Sequence, residues 1–316
     1  MDKQFEEQGG AATMDPGVVL RWLTSRVMSH VSRPERLERA RRAAERARTK
    51  AGDRHRVEYF HQVEDGYSHL AAQILKRLAD RYDVDLVCYL VSGPSGNNSP
   101  EPDLLLQLSR YDAEKVASAY GLSFPSHPEA PDPVLVSLAE GVLASQSNAE
   151  FVEHAEAVGS ALWSGDKGAL LQCAKQCGQA DIHAVRQGIA SGNERLRALK
   201  HYSSAMFYYG GEWYWGVDRL YHLEHRFREL GVDRDAGSPP LVPRPVEAGQ
   251  LKDNGSLTLE FFPSMRSPYT AISFDRTVQL AKETGVNLVV RPVLPMVMRG
   301  VPATRQKGMY IFSDTA

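Results

Sequence analysis

The tripeptide Ser267-Pro268-Tyr269 is where residue type and local pattern best suit chemistry. Serine followed by proline, ahead of an apolar-periodic stretch, reads as the first turn of a helix, with Ser267 at the cap and Pro268 at a position that tolerates a missing N–H. The unpaired N–H groups and the dipole at such a terminus favour negative charge. A thiol brought there would ionise more readily than a free one, whose pKa is about 8.5. A serine hydroxyl beside it can donate a hydrogen bond to the thiolate without becoming a nucleophile itself. The plainer reading is that Ser267 is only a cap, since serine is among the commonest.

Other constellations are weaker. Cys173 and Cys177 stand four apart on one helical face and read as core-facing thiols, while Cys88 falls in an apolar strand-like run. The sequence contains no Cys-x-x-Cys, so dithiol redox chemistry is not expected. His222, Glu224 and His225 complete no zinc spacing, and no metal is expected. The aromatic cluster Tyr202, Phe207, Tyr208, Tyr209, Trp213, Tyr214 and Trp215 fits sheet packing, although part of it could wall an apolar groove. Residues 21–56 carry 12 basic and 4 acidic side chains. Its arginine-dense helix, 34–50, has no interleaved aromatics and reads as a solvated face laced with Glu/Arg pairs, in preference to a patch for RNA or acidic lipid.

Composition narrows the setting. The 316 residues carry 37 Lys and Arg against 39 Asp and Glu, a net charge of −2, so no global field draws the chain onto nucleic acid or a membrane. Three cysteines are too few for a disulfide scaffold and suit a reducing compartment. No run of 18 apolar residues occurs, and residues 1–17 read as a flexible start lacking the apolar stretch of a secretory signal. A soluble, cytoplasmic protein without membrane or nucleic-acid partners is expected.

The elements that must position Ser267 emerge from an internal repeat. Residues 57–91 lie over 259–293 at a constant offset of 202 without a gap: Glu58 meets Glu260, Phe60 meets Phe262, Tyr67 meets Tyr269, Leu70 meets Ile272 and Leu78 meets Leu280. Each copy reads as a short β-rich run, a loop, a helix with an apolar stripe (Leu70, Ile74, Leu75, Leu78 and Tyr82 in the first) and an apolar run suited to a strand buried on both faces. That pattern is a right-handed βαβ unit. Two helices precede it over 18–54, with Ser32 and Glu35 spaced as a capping box. A helical block follows over about 104–197, then two aromatic strands joined at Gly210-Gly211 and a helix stopped near Gly231. The resulting expectation is an α/β chain. Its first domain, 55–231, is thioredoxin-like with a helical insertion; 232–256 is a Pro-rich linker; and 257–316 is an incomplete second thioredoxin-like repeat, with the chain itself expected to be a fragment.

These motifs resemble the DsbA-like thioredoxin-fold family, in the branch of 2-hydroxychromene-2-carboxylate isomerase and the kappa-class glutathione transferases. The resemblance covers about 57–231 and 257–316. That branch carries Ser-Pro-Tyr or Ser-Pro-Phe at the start of the first helix, as at Ser267-Pro268-Tyr269. It also carries a Gly-Gly-x-x-(Phe/Tyr)-Trp-Gly-x-Asp-Arg-Leu segment, similar to 210–220, and a Gly-Asn ahead of a proline, similar to Gly96-Asn97 before Pro100. The resemblance implies bound glutathione, with its sulfur resting on Ser267 beside Tyr269, and with Asn97 and the Asp218-Arg219 pair contacting its peptide and γ-glutamyl end. From the residues alone, Asn97 is a turn residue, and Asp218 with Arg219 a cap and a surface charge.

This sequence departs from the pattern in three places. Asp65 stands where the first copy would carry its serine, beside Tyr67 and a possible substitute hydroxyl at Ser68. A carboxylate there is a good cap that repels a thiolate. Ala205-Met206 replaces the family's cis-proline step; a non-proline cis bond costs about 2.5–4 kcal/mol, so a trans, differently shaped loop is expected. In the second copy Arg299-Gly300-Val301-Pro302 lacks the matching Asn, while Arg266, Arg291, Arg299, Arg305 and Lys307 give that segment a basic character suited to a carboxylate-bearing ligand. The leading expectation is a glutathione-linked isomerase or transferase acting on a small aromatic or electrophilic substrate through Ser267. The competing one is a non-catalytic binding protein of the same family, and nucleic-acid binding through 36–48 ranks last.

Overall fold

The computed structural model describes residues 17–244, 249–295, 298 and 304–315. They fall into two units, one holding 40–95 and 101–244, the other 17–39, 96–100 and the described residues from 249 onward.

In the larger unit, β1 (Arg56–His61) is an interior strand, and its residues 57–61 are all buried. Helix α3 (Gly66–Arg81) returns the chain to β2 (Asp85–Leu90), which pairs parallel to β1 from Arg56↔Asp85 to His61↔Leu90. The other edge of β1 takes β3 (Met206–Tyr209) antiparallel, and β3 pairs with β4 (Glu212–Trp215). The strand order β2-β1-β3-β4, closed by α9 (Leu220–Glu229), is the thioredoxin-like arrangement of βαβ plus ββα. Gly210 and Gly211 both have positive φ, 55° and 95°, as a two-residue hairpin turn requires. Tyr59 stacks on Phe207 at 4.6 Å and Phe60 packs between Tyr89 and Trp213, so the aromatic cluster is mainly sheet packing.

The apolar stripe of α3 is fully buried at Leu70, Leu75 and Leu78, each such side chain stabilising the fold by roughly 1.5–3 kcal/mol. It packs against the insertion, formed by α4 (Pro102–Ala117), α5 (Pro133–Ala144), α6 (Asn148–Trp163), α7 (Lys167–Cys177) and α8 (Ile182–Ala198). Short polar side chains cap four of these five helices, all but α4. Asp132, Asp166 and Asp181 accept backbone N–H bonds, and Ser147 forms a reciprocal box with Glu150.

Several expectations need correction. β2 is an edge strand and only half-buried, whereas β1 is the strand covered on both faces. Residues 232–244 are no free linker: Asp233 joins Arg81 and Arg228, and Val242 is buried. Two helices, α1 (Val18–Val31) and α2 (Pro34–Ala51), occupy 18–54, but residues 40–54 fall with the larger unit. The Ser32 hydroxyl donates to Met28 O at the end of α1 instead of opening a capping box. On α2, Arg48 pairs with Glu45 as the pattern suggests, while Arg41 reaches Glu212 of β4.

In the smaller unit, β5 (Thr258–Phe261), α10 (Pro268–Thr284) and β6 (Asn287–Val290) form a second parallel β-α-β, followed by α11 (Arg305–Thr315). Its register, Thr258↔Asn287 to Phe261↔Val290, is that of β1 and β2 displaced by 202. Loop bonds repeat at the same displacement. Asp85 N donates to His55 O and Asn287 N to Leu257 O; Val91 N donates to His61 O and Val293 N to Pro263 O. Core positions do not repeat in burial. Phe60 and Leu70 are fully buried, whereas Phe262 and Ile272 are 55% and 53% exposed, because β5 pairs with β6 alone among the described strands.

Candidate functional site

The start of α3 is built around Asp65. Its backbone is extended, so its side chain reaches back over the first turn and accepts from Tyr67 N–H at 3.3 Å and Ser68 N–H at 3.0 Å. Three hydroxyls add to these bonds: Ser68 at 2.8 Å, Ser204 at 3.2 Å and Ser109 at 3.4 Å. Burial pushes the Asp65 pKa above the usual carboxylate range, opposed by the bonds from Ser68, Ser204 and Tyr67. Asp65, Ser68 and Ala205 are all buried, and Ser68 is further occupied by accepting Gln62 N–H. A side chain at Gly66 would lie 3.0 Å from Ala113 Cβ and 3.1 Å from Phe124, so α4 and Phe124 close over this helix start. The anion that a helix N-terminus attracts is here supplied internally.

Of the other residues singled out in the sequence, Ala205 and Tyr67 lie next to this cap, while Asp218 and Arg219 belong to the turn ahead of α9 and Asn97 to the smaller unit. Ala205 follows Ser204 with φ 55°, and, as expected, the described residues contain no cis peptide bond. The Tyr67 hydroxyl donates to Asp112 at 2.7 Å, and its ring meets Trp215 edge-on at 5.7 Å. Burial first and then the Asp112 carboxylate raise its pKa, with the charges of Asp65 and Asp218 adding to the shift. Asp218 and Arg219 lie in a 3-10 turn, Val217–Arg219, ahead of α9, where Asp218 is exposed and bonds the Tyr120 hydroxyl. Asn97 sits exposed in a 3-10 turn, Gly96–Asn98, that belongs to the smaller unit; its neighbour Asn98 accepts from the Thr304 hydroxyl at 2.5 Å.

Ser267 caps α10 in backbone only. It is extended at φ −87° and ψ 128°, yet its side chain makes no capping bond. Ser264 N–H instead donates to Thr270 Oγ1 at 3.1 Å, just as Gln62 N–H donates to Ser68, so Thr270 supports this loop and leaves the half-buried Ser267 hydroxyl unengaged among the described residues. Tyr269 donates to Asp314 at 2.9 Å, the counterpart of Tyr67 and Asp112. Of the basic residues, Arg291 is paired with Glu260 and Lys307 has its pKa lowered by burial. The Arg299-Gly300-Val301-Pro302 reading lies outside the described residues.

Remaining candidates have structural roles. Glu224 accepts from Tyr82 OH and from the N–H groups of Leu241 and Val242. Among the described residues, no cluster of His, Cys, Asp and Glu is placed to hold a metal ion. All three cysteines are free, and burial raises the pKa values of Cys88 and Cys173. No helix among the described residues is long and apolar enough to cross a membrane. Ser109, Ser204, Asp112 and Asp314, which complete these sites, were not singled out in the sequence. Only the 202-residue offset, carried from Asp112 to Asp314, could have found the last pair.

No protein-family model matches the chain, and no curated protein does. Among solved structures, it is similar to a 2-hydroxychromene-2-carboxylate isomerase at 20% identity, over 56% of this chain and 96% of that one, with a TM-score of 0.39. It is also similar to the cytosolic disulfide reductase DsbM from Pseudomonas aeruginosa, at 14% identity over 55% of this chain and 96% of that one, with a TM-score of 0.36.

Proposed function

We propose that this chain is a tandem DsbA-like protein of a reducing compartment, in which 257–316 form the opening of a second thioredoxin-like copy. In this reading the second copy serves glutathione-linked isomerase or transferase chemistry on a small aromatic or electrophilic substrate. The observation that carries it is the contrast between the two helix starts. Asp65 fills its own N-terminus, whereas the Ser267 hydroxyl stands at the start of α10 without a capping bond. The residues present suit a thiolate: a helix dipole, a hydroxyl that makes no capping bond and no carboxylate at the cap.

Glutathione, when bound, supplies a nucleophilic thiol. Ser267 would donate its proton in a hydrogen bond to that sulfur, and the first turn of α10 would stabilise the negative charge. Tyr269, anchored through Asp314, would fix the orientation of the first turn. In the larger unit the same location is closed by Asp65, which supports a second reading for that unit alone, as a non-catalytic scaffold.

Calorimetry with reduced glutathione tests the proposal. Binding should be weakened at least tenfold by Ser267→Ala and left unchanged by Ser68→Ala. Absence of binding to the wild type, or equal binding by Ser267→Ala, would leave the non-catalytic reading for both units.

A further inference from the structure

A pocket of about 180 Å³ lies in the larger unit, lined from α2, the segment entering β1, the β3–β4 turn and α9. Four arginines line it, Arg48, Arg54, Arg56 and Arg226, against two acidic residues, Glu45 and Asp53. Arg226 is the deepest of the four. It is 5% exposed and lies over the Tyr209 ring at 4.6 Å, and its Nη1 donates to Tyr209 O at 3.0 Å and to Glu212 at 2.5 Å. The same Glu212 carboxylate also accepts from Arg41, so one negative charge serves two cations. The Nη2 of Arg226 borders Gly210, where an added Cβ would lie 2.5 Å away, and it donates to no group among the described residues. A glycine at the turn is what leaves that nitrogen uncovered.

The other three cations differ in how they are held. Arg48 is fixed by Glu45 and by Asp53 O, and Arg54 reaches Asp83 and Asp85. Arg56, the exposed first residue of β1, has no ion-pair partner among the described residues. The hydroxyl of Tyr209, another lining residue, lies 2.5 Å from the His55 imidazole. The imidazole pKa is lowered, by burial first and then by the Arg48 charge. Lining charge is thus positive by two; Arg226, Arg48 and Arg54 are anchored before any ligand arrives, while Arg56 is left to pair with one, and planar guanidinium donors favour bidentate recognition of an oxyanion.

We propose that this pocket binds the dianionic phosphoryl group of a small molecule, with Arg226 Nη2 and Arg56 as its principal donors. The site is separate from Ser267 and independent of glutathione.

Inorganic phosphate and pyrophosphate, titrated calorimetrically at low ionic strength, are the probes. Saturable binding of both is expected, weakened at least tenfold by Arg56→Gln and further by Arg54→Gln combined with it; these exposed side chains can be changed without touching the core. Gly210→Ala, which places a methyl against Arg226, should weaken binding if the chain still folds by circular dichroism. Acetate at matched ionic strength is the monoanion control. Absence of saturable binding, binding indifferent to Arg56→Gln, or equal binding of acetate would each overturn the proposal.

Discussion

Ser204 donates its hydroxyl to Asp65 at 3.2 Å, joining the loop before β3 to the cap of α3 across 139 residues of sequence. The bond places a neutral donor beside a carboxylate whose charge the surrounding core disfavours. Because the folded-state pKa of Asp65 is raised above its unfolded value, the fold prefers the protonated form. Its contribution to stability is full below the unfolded carboxyl pKa of about 3.9 and is lost as pH rises through the folded pKa. Asp65→Asn does not titrate, so its stability relative to the wild type should climb as pH rises from about 4 and then level off. Urea unfolding midpoints over that range measure it; a difference independent of pH would mean the ionised carboxylate is fully compensated by its five donors.

Acid should act on two buried histidines in the opposite sense. Burial holds the imidazoles of His61 and His69 down at about 3 and about 4. Below the unfolded value of about 6.5, the unfolded chain takes up protons that the folded chain refuses, so stability falls with pH by about 1.4 kcal/mol per unit for each of them. His69→Gln should remove about half of that combined slope between pH 6 and 4.5. Equal slopes for variant and wild type would mean that His69 is not held neutral in the fold.

The closeness of α8 to β2 sets a third expectation. A Cβ at Gly192 would lie 2.0 Å from Leu90 O, a backbone atom that cannot swing aside. Gly192→Ala should therefore destabilise by about 1–3 kcal/mol or more, as overpacking does, despite alanine's better helix propensity. Thermal and urea unfolding would show it, and a variant as stable as the wild type would contradict this packing.

Glu224 explains why residues 232–244 depart from the linker that their prolines suggest. Its carboxylate, wholly buried, accepts from Tyr82 OH at 2.7 Å and from two N–H groups of that segment at 2.7 and 2.9 Å. Tyr82→Phe should cost about 1–3 kcal/mol by leaving the carboxylate one donor short. Glu224→Ala should also release the segment to proteolysis near Leu241, and unchanged cleavage would argue against the anchor.

Periodicity made the βαβ units legible, because Leu70, Leu75 and Leu78 fall on one helical face and the strands are dense in β-branched and aromatic residues. The pairs Glu58↔Val87 and Glu260↔Val289 stand at the same 202-residue displacement as the sequence offset, although the pairing within each unit was not itself legible. Glu224 was legible only as part of a metal-like cluster, since its donors come from Tyr82 and from a proline-rich stretch with no periodic signal. Strand order was equally hidden from local pattern: β1 and β2 carry similar apolar runs, and only the arrival of β3, more than a hundred residues later, makes β1 central. Asp65 was legible as a cap, but its closure was not, because Ser109, Phe124 and Ser204 reach it from separate parts of the chain.

Exchanging the two caps separates the structural and chemical roles of Ser267. Since its hydroxyl makes no capping bond, Ser267→Asp should stabilise the start of α10 by about 0.5–2 kcal/mol, supplying the acceptor that Asp65 provides in α3. The same carboxylate would place a fixed negative charge where a thiolate is proposed to rest, and glutathione binding should be abolished. Hydrogen exchange of the first-turn amides reads the first effect, and calorimetry the second. A gain in protection with binding intact would keep the capping argument and remove the thiolate from α10. Lost binding without added protection would show that the first-turn N–H groups are not free in the wild type.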